Sequence, residues 1–314
     1  MRAWQFERVG TPLALREVPE PRPVAGEVLI EIKAAGLCHT DVGILHEPKW
    51  TERIGPFPLT LGHEVAGVIT EVGAGVEGYV PGDRVGVFAA GRTRPGQGRD
   101  GGYAFQCTAL PEDLVRIPEG VGFEQAALGT DAGCAAYHAL VRRGGVRAGD
   151  KVGIIGLGGL GQVAARVAAV KGATVFVAEK KQSLWPLAKE LGAQAVSGDI
   201  TDFAGENLDL IVDFAGFGTT TAAAIETVRE FGTVVQVGMG ELTAEISTGT
   251  LIFKQITLIG SRGGSVADIA AVYDLVAAGE LKPQVVPITF DEIPAGLERL
   301  RRGEVDGRLV AVYD

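Results

Sequence analysis

Residues 151–161 read Lys-Val-Gly-Ile-Ile-Gly-Leu-Gly-Gly-Leu-Gly. The first five residues form an apolar run typical of a buried strand, and the glycines after them predict a tight turn. Residues 162–170 then carry apolar side chains at helical spacing, and residues 173–178 form a second apolar run that ends at Glu179. This order of strand, glycine turn, helix, strand and acidic residue predicts a β–α–β unit.

The glycine turn of this unit predicts a dinucleotide site, because glycine lets the backbone approach a pyrophosphate at a helix N-terminus. The predicted contacts are Gly156, Gly158, Gly159, Leu160 and Gly161. A carboxylate at Glu179 can accept hydrogen bonds from both ribose hydroxyls and repels a 2′-phosphate, which favours NAD over NADP. Lys180, a further predicted contact, and Lys181 keep NADP open. The alternative is a glycine turn that serves packing alone.

The alternation of strands and helices continues after this unit and predicts an α/β fold with a doubly wound parallel sheet. Predicted strands cover residues 208–213, 232–237 and 256–259, and predicted helices cover residues 184–191 and 220–229. Residues 1–133 are β-rich and punctuated by proline, apart from a helical pattern over residues 124–141. Residues 262–314 carry a helical pattern and short strands. We therefore expect two domains, one over residues 134–261 that binds the dinucleotide and a second over residues 1–133 and 262–314.

Length and charge restrict the class of protein. A chain of 314 residues fits two domains, since single cores rarely grow beyond ~250 residues. A net charge of −10 and a pI near 5.0 argue against binding to nucleic acid or to an anionic membrane. No signal peptide or membrane span is visible, and three cysteines are too few for a secreted disulfide framework. A cytoplasmic protein with small diffusible ligands is expected.

Candidate metal ligands lie in the β-rich part of the chain. His63 stands between two strand-like runs, and Cys38 stands where a strand gives way to a short helix. With an acidic or thiol ligand from residues 131–134, they would supply three protein ligands and leave one position open, as in catalytic zinc sites. Taken singly, His63 is equally well explained as a packed core histidine, and a free cysteine such as Cys38 is more often a small core residue.

Five motifs spread over nearly the whole chain carry a family resemblance. They are residues 36–41 (Gly-Leu-Cys-His-Thr-Asp), Gly62-His63-Glu64 followed by Gly67, Gly73 and Val76, residues 82–85 (Gly-Asp-Arg-Val), residues 101–104 (Gly-Gly-Tyr-Ala) and residues 156–161. Together they resemble the zinc-dependent medium-chain alcohol dehydrogenases. The resemblance implies a Rossmann sheet joined to a β-rich, GroES-like catalytic domain.

The resemblance also implies a ligand set. Cys38 and His63 would bind catalytic zinc, with Asp41 as the partner of His63 and Glu64 behind the metal. Most members have a cysteine where this chain has Asp131, so Asp131 is the implied third ligand, as in a branch of secondary-alcohol dehydrogenases. Asp keeps the charge of a thiolate but donates less electron density, which would make the zinc a stronger Lewis acid. Cys134, one helical turn further on, is the alternative.

Two departures from the family pattern alter what is expected. The structural zinc lobe of the family would fall near residues 90–102, where this chain has no cysteine, so one zinc per chain is expected. Family members often place a proton-relaying histidine five residues after the zinc cysteine, where this chain has Gly43. The predicted relay therefore ends earlier.

The implied activity is interconversion of an alcohol, expected to be secondary, and its ketone or aldehyde with NAD(H). Thr40 would take the substrate proton and pass it through the nicotinamide ribose hydroxyl of the cofactor, while His39 and Arg308 would face the cofactor pyrophosphate. The alternatives are that Thr40 only caps a helix and that Arg308 only forms a surface ion pair. Ala215 and Val237 are further predicted cofactor contacts. The resemblance implies a homodimer or homotetramer built through the nucleotide domain. The alternatives are a zinc-free quinone or enone reductase of the same fold and a nucleotide-binding protein without catalysis.

Overall fold

The structure is a computed structural model that describes residues 1–52 and 54–313. The chain divides into two compact units. The first unit comprises Met1–Asp131 and Ser265–Asp314, and the second comprises Ala132–Gly264. The second unit is therefore an insertion in the sequence of the first, whose final segment must return to complete it.

As far as Leu128, the described residues of the first unit form eight strands and three α-helices. The strands are β1 (Arg2–Phe6), β2 (Ala14–Glu17), β3 (Val28–Gly36), β4 (Leu59–Thr60), β5 (Glu64–Val72), β6 (Arg84–Val87), β7 (Gln106–Ala109) and β8 (Leu114–Arg116). The helices are α1 (His39–His46), α2 (Pro48–Thr51) and α3 (Phe123–Leu128). Strands β3 and β5 are buried over much of their length, since they lie at the centre of the sheet.

The second unit alternates strands with helices. Its elements are α4 (Cys134–Tyr137), β9 (Lys151–Ile155), α5 (Gly159–Val170), β10 (Thr174–Ala178), α6 (Trp185–Glu190), β11 (Ala193–Ser197), β12 (Leu210–Asp213), α7 (Gly218–Thr227), β13 (Thr233–Gln236), α8 (Thr248–Lys254) and β14 (Thr257–Gly260). The strands pair in parallel in the order β11-β10-β9-β12-β13-β14. The strand order reverses at β9, which confirms the predicted doubly wound Rossmann sheet.

The last fifty residues complete the first unit. Their elements are α9 (Val266–Ala277), β15 (Val285–Ile288), α10 (Ile293–Arg301) and β16 (Arg308–Val312). Strand β16 runs antiparallel to β3, with Val310 opposite Gly36, and extends the sheet to the order β15-β16-β3-β5-β6-β8. This pairing brings Arg308, at the start of β16, to the end of β3, where the metal-ligand motif begins.

Some elements were not predicted from the sequence. Strand β11 and helices α8 and α10 are the main additions, and the predicted helix over residues 124–141 is interrupted. Its α-helical pieces, α3 and α4, are separated by a π-helical segment at Gly129–Gly133, and a second one follows at His138–Arg143. Within residues 1–52 and 54–313, no helix combines the length and hydropathy needed to span a membrane.

The pairing of β3 with β5 fixes the centre of the first unit. Gly36 lies opposite Glu64, and Ala35 lies opposite Val65. The core packs on this pair, with Ile30, Ile32, Val65 and Ile69 among its buried side chains. Because β3 ends next to Cys38 and β5 begins next to His63, the same register brings the two predicted ligands together.

A substitution at Gly67 tests how tightly this pair is packed. A Cβ at Gly67 would lie 2.1 Å from the backbone oxygen of Glu31, which cannot move without disturbing the ladder. We expect Gly67→Ala to lower the free energy of unfolding by about 1–3 kcal/mol and the thermal midpoint by several degrees. Gly198→Ala is the control, because a Cβ there has no atom within 4 Å. Equal midpoints for the two variants would contradict the prediction.

Candidate active site

Four side chains of the first unit form a group that could hold a metal ion. They are Cys38, His63, Glu64 and Asp131, whose ligand atoms all lie within 4.8 Å of one another. Three of them were predicted as ligands and the fourth, Glu64, as a neighbour of the metal. The structure thus gathers residues that are up to 93 positions apart in the sequence.

Each member of the group is placed by a different local feature. Cys38 follows β3 in extended conformation and is the N-cap residue of α1. His63 follows Gly62, whose φ of +90° is open to glycine and strained for other residues. Asp131 lies in the π-helical segment Gly129–Gly133, a kind of irregularity that is frequent at functional sites. None of these positions is in the middle of a regular strand or α-helix.

Asp41 holds the histidine of this group. It is fully buried, and its Oδ1 lies 3.2 Å from Nδ1 of His63. Its Oδ2 accepts hydrogen bonds from the backbone N–H of Cys38 (3.2 Å) and the hydroxyl of Tyr103 (2.9 Å). With Nδ1 engaged by Asp41, Nε2 is the ring nitrogen that faces the group, 3.4 Å from Oδ2 of Asp131. This is the arrangement by which proteins orient a metal-binding histidine.

The spacing of the donor atoms fits zinc. Tetrahedral zinc with its usual bond lengths separates nitrogen from oxygen ligands by about 3.4 Å and sulfur from oxygen ligands by about 3.6 Å. Here Nε2 of His63 lies 3.4 Å, and Sγ of Cys38 lies 3.9 Å, from Oδ2 of Asp131. One thiol, one imidazole and one carboxylate are also a donor set that zinc accepts, so the residues present fit the ion.

Glu64 is held by Arg308. Both side chains are almost completely buried, and Nε of Arg308 donates to Oε2 of Glu64 at 2.9 Å. The neighbouring Nη2 of Arg308 also donates to Oε1 of Glu64 and lies 3.9 Å from Oδ2 of Asp131. The sequence placed Arg308 against a cofactor pyrophosphate; the structure places its guanidinium at the metal group, and the pyrophosphate contact stays a prediction.

Burial and charge shift the pKa values of this group. Burial acts to lower the pKa of His63, but the Asp41 carboxylate and hydrogen bonds with Asp131, Asp41 and Cys38 raise it well above its usual value. Burial acts to raise the pKa of Asp131, but His63 and Arg308 outweigh it and lower the pKa. Burial raises the pKa of Glu64 to about 7, against the opposing charge of Arg308. The site therefore gathers charges that compensate one another.

The residues that follow Cys38 form one edge of the group. The Oγ1 of Thr40 lies 3.6 Å from Sγ of Cys38, and His39 is exposed. A Cβ at Gly43 would lie 2.8 Å from the indole ring of Trp50. Gly43, where the family resemblance led us to look for a relaying histidine, is thus covered by Trp50, and a larger side chain would not fit without moving the indole ring.

The predicted dinucleotide turn lies between β9 and α5 in the second unit. Gly156 has a φ of +84°, and a Cβ at Gly161 would lie 1.9 Å from the backbone oxygen of Gly156. A Cβ at Gly158 would have no atom within 4 Å, so the backbone there borders open space. Helix α5 begins with Gly159 and Leu160. The free backbone N–H groups of its first turn therefore face this open space. The turn fits a pyrophosphate.

Glu179 follows β10 and faces the glycine turn. Its carboxylate accepts hydrogen bonds from the backbone N–H groups of Leu157 (2.7 Å) and Lys181 (2.8 Å), and Trp185 donates to its backbone oxygen. The side chain of Lys180 is exposed. The acidic residue is therefore fixed beside the turn, as the sequence predicted.

Two further residues with a part in these sites were missed by the sequence reasoning. Tyr103 lies in a quoted motif, but only the structure shows its hydroxyl on Asp41. Asp213, at the end of β12, accepts hydrogen bonds from the N–H groups of Ala215 and Gly216 and from two threonine hydroxyls, and its backbone oxygen accepts the N–H of Val237. Asp213 thus shapes the loops that carry the predicted contacts Ala215 and Val237. Its place after a buried strand was the available signal.

Comparison with known families covers most of the chain. Residues 24–146 match the family described as alcohol dehydrogenase GroES-like domain. Residues 159–278 match the family described as zinc-binding dehydrogenase. The first match spans Cys38, His63, Glu64 and Asp131, and the second begins at the start of α5. The GroES-like domain expected from the motifs is therefore confirmed.

Individual relatives are similar to this chain over nearly its full length. An alcohol dehydrogenase of Geobacillus stearothermophilus is 33% identical over an alignment of 340 positions that covers 100% of both chains. Among solved structures, the acetophenone reductase of Geotrichum candidum in complex with NAD has a TM-score of 0.90 and 32% identity over 99% of this chain and 97% of its own. The alcohol dehydrogenase of Aeropyrum pernix has a TM-score of 0.91 and 29% identity over 100% of both chains. The chain belongs to the zinc-dependent medium-chain dehydrogenase/reductase family.

Proposed function

We propose that this chain is a zinc-dependent alcohol dehydrogenase that uses NAD(H) to interconvert an alcohol and its ketone or aldehyde. The observation that carries the proposal is the convergence of Cys38, His63 and Asp131 within 4.8 Å, with the ring of His63 held by Asp41. A zinc-free quinone or enone reductase would not need these three donors together. The names of the relatives add support, because several are alcohol dehydrogenases.

In this proposal, Cys38, His63 and Asp131 would hold one zinc ion per chain. A bound zinc would supply a Lewis acid that polarises the oxygen of an alcohol or a carbonyl compound. Asp41 orients His63. Glu64 lies beside the proposed ligands and pairs with Arg308, so it is not proposed as a ligand itself. The chain thus keeps three ligands and an open position, which a catalytic site needs.

Thr40 is the proposed acceptor of the substrate proton. Its hydroxyl is 3.6 Å from Sγ of Cys38 and half-buried, so it lies at the edge of the donor group. A hydroxyl can accept a proton while donating its own, and Oγ1 can therefore pass a proton onward without acquiring a lasting charge. Since Gly43 offers no side chain, no residue at that position takes the proton further.

The proposed cofactor is NAD(H), bound at the turn of Gly156, Gly158 and Gly161. The cofactor would supply the hydride acceptor, so that an alcohol loses a hydride and a proton and becomes a carbonyl compound. Glu179 is fixed beside the turn and would repel a 2′-phosphate. The NAD complex of the Geotrichum candidum acetophenone reductase supports this choice.

The proposed substrate is a secondary alcohol or its ketone. The acetophenone reductase is named for a ketone, and it is 32% identical to this chain over 99% of this chain and 97% of its own. Asp131 in place of the cysteine that most members carry was the sequence reason for the same expectation. None of the three cysteines, all within the described residues, forms a disulfide, which supports the further proposal of a reducing, cytoplasmic compartment.

We also propose that the chain forms a homodimer or homotetramer through the second unit. Strand β14 is an edge strand of the parallel sheet, and most of its side chains are exposed. Helix α8, just before it, has no buried residue, and Ile252 and Phe253 are 71% and 86% exposed. Large apolar side chains beside an open strand edge are typical of a surface that another chain covers.

Metal content tests the proposed zinc site. Protein purified without added metal should contain about one zinc per chain by mass spectrometry, because three protein ligands suit a tightly held ion. Asp131→Ala should lose most of this zinc, and Cys134→Ser, its control, should keep it. The opposite result for the two variants would assign the third ligand to Cys134. Absence of zinc from the unsubstituted protein would contradict the proposal and favour a quinone or enone reductase.

Cofactor preference tests the role of Glu179. Glu179→Gln removes the charge but keeps an oxygen that can accept the N–H of Leu157, so the turn should stay intact. The ratio of kcat/KM for NAD to that for NADP should fall roughly tenfold, about 1.4 kcal/mol. Glu190→Gln, at the exposed end of α6, should leave this ratio unchanged. A preference of the unsubstituted protein for NADP would show that Glu179 does not exclude the 2′-phosphate.

The molecular mass of the protein, measured by light scattering as it elutes from a size-exclusion column, tests the proposed assembly. Phe253→Glu places a charge on the exposed apolar face of α8, and we expect it to shift the mass toward that of one chain. Val24→Glu is the control, because Val24 is an exposed apolar residue of the first unit, 64% exposed. An unsubstituted protein that elutes as a single chain, or two variants with the same mass, would contradict the assembly through this face.

A further inference from the structure

The two oxygens of the Asp41 carboxylate have different hydrogen-bond partners. Oδ1 faces Nδ1 of His63 at 3.2 Å, and Oδ2 accepts from the N–H of Cys38 and from the hydroxyl of Tyr103. A buried carboxylate binds whichever donors its rotation brings within reach. Which oxygen is left for His63 therefore depends on the donors that engage the other one.

Tyr103 is held in place before it donates. Its backbone N–H donates to the carbonyl of Leu61 at 2.9 Å, and its ring lies directly against Gly62, where a Cβ would be 2.5 Å from Cδ1. The side chain is completely buried. The phenol is therefore fixed to the two residues that precede His63, and its hydroxyl cannot leave Asp41 without disturbing them.

The loop before Tyr103 strengthens this placement. Oδ1 of Asp100 accepts the N–H of Thr60, and the N–H of Gly101 donates to the carbonyl of Thr60. The N–H of Gly102 donates to the carbonyl of Gly62. Burial and the Asp41 carboxylate raise the pKa of Tyr103 well above its usual value, so the hydroxyl keeps its proton and remains a donor. A neutral, immobile donor thus faces Oδ2.

We propose that Tyr103 is a positioning residue of the metal site, which acts through Asp41 to fix both the ring plane and the tautomer of His63. This inference rests on the proposed zinc-dependent function. By occupying Oδ2, Tyr103 reserves Oδ1 for the Nδ1–H of His63, and Nε2 is left to bind the ion. Removal of the hydroxyl leaves a buried carboxylate with one donor fewer, and the carboxylate can then turn away from His63.

Zinc affinity of the purified protein is the test. Tyr103→Phe removes one oxygen atom and should weaken zinc binding about 10–100-fold in competition with a chromophoric chelator. Tyr313→Phe is a matched control, because Tyr313 is also buried and donates its hydroxyl to the neighbouring Gly102 (2.6 Å). The control should keep the zinc affinity of the unsubstituted protein. Equal affinities for the two variants would overturn the inference.

A double substitution shows whether Tyr103 acts through Asp41. In protein that already carries Asp41→Asn, Tyr103→Phe should have little further effect on zinc affinity, because the two residues act on one ligand. Additive effects would show that Tyr103 acts by another route. The absorption spectrum of the cobalt-substituted protein should also change in Tyr103→Phe and stay constant in Tyr313→Phe, since the spectrum reports ligand geometry.

A measurement without substitution covers the case in which Tyr103→Phe fails to fold. The chain has four histidines, so nitrogen-15 labelling of the imidazoles gives few resonances to assign in the zinc-loaded protein. His63 should carry its proton on Nδ1 and bind zinc through Nε2, and zinc bound through Nδ1 would overturn the inference. If the unsubstituted protein binds no zinc, the proposed function fails as well; if it binds zinc and only the Tyr103 effect is missing, the inference alone fails.

Discussion

The hydrogen bond between the Asp41 carboxylate and Nδ1 of His63 is the contact on which the arrangement of the candidate metal-binding side chains depends. Asp41 is fully buried, and its other partners are the backbone of Cys38 and the hydroxyl of Tyr103. The three donors come from three separate segments of the first unit. An unpaired carboxylate in this position would be costly, since the desolvation of a buried charge is recovered only through its partners. The core and the site therefore share one residue, and neither can be rearranged alone.

The second buried carboxylate, Glu64, is balanced in a different way. It pairs with Arg308, which reaches it because β16 lies next to β3 and β3 lies next to β5. A buried ion pair of this kind adds little net stability, but loss of one partner leaves an uncompensated charge. Gly36 completes the arrangement, because a Cβ there would lie 1.8 Å from Oε2 of Glu64. The ion pair of Glu64 and Arg308 thus places one end of β16 at the same site as the ends of β3 and β5.

Much of the fold could be predicted from the sequence because its signals are local. The glycine turn at residues 156–161 and the acidic residue after the next strand identify a parallel nucleotide-binding sheet without any long-range information. Strand β11 and helix α8 were not predicted because their hydrophobic patterns are weak. Strand β11 is mostly half-buried, and no side chain of α8 is buried. Periodicity reports burial of one face, and these elements lack a clearly buried face.

The candidate site was predictable only as far as the side chains that could bind a metal ion. Cys38 and His63 stand in recognisable motifs, Asp131 was reached only through the family resemblance, and the structure brings the three together. Contacts between residues such as Tyr103 and Asp41, which are 62 positions apart, leave no periodic signal in a single sequence. The contact of Arg308 with Glu64 could not be predicted for the same reason, because it depends on the pairing of β16 with β3, which are far apart in the sequence.

The π-helical segment that carries Asp131 explains how its carboxylate reaches the group of Cys38, His63 and Glu64. Gly129 packs against the ring of Tyr273, and the widened turn that follows presents Asp131 to His63 and Arg308. A thiolate would offer charge to a metal but is a weak hydrogen-bond acceptor. The carboxylate offers charge and also pairs with both His63 and Arg308, which accounts for the lowered pKa of Asp131. The carboxylate therefore brings a negative charge to the candidate metal-binding group and lies near Arg308, which already pairs with Glu64.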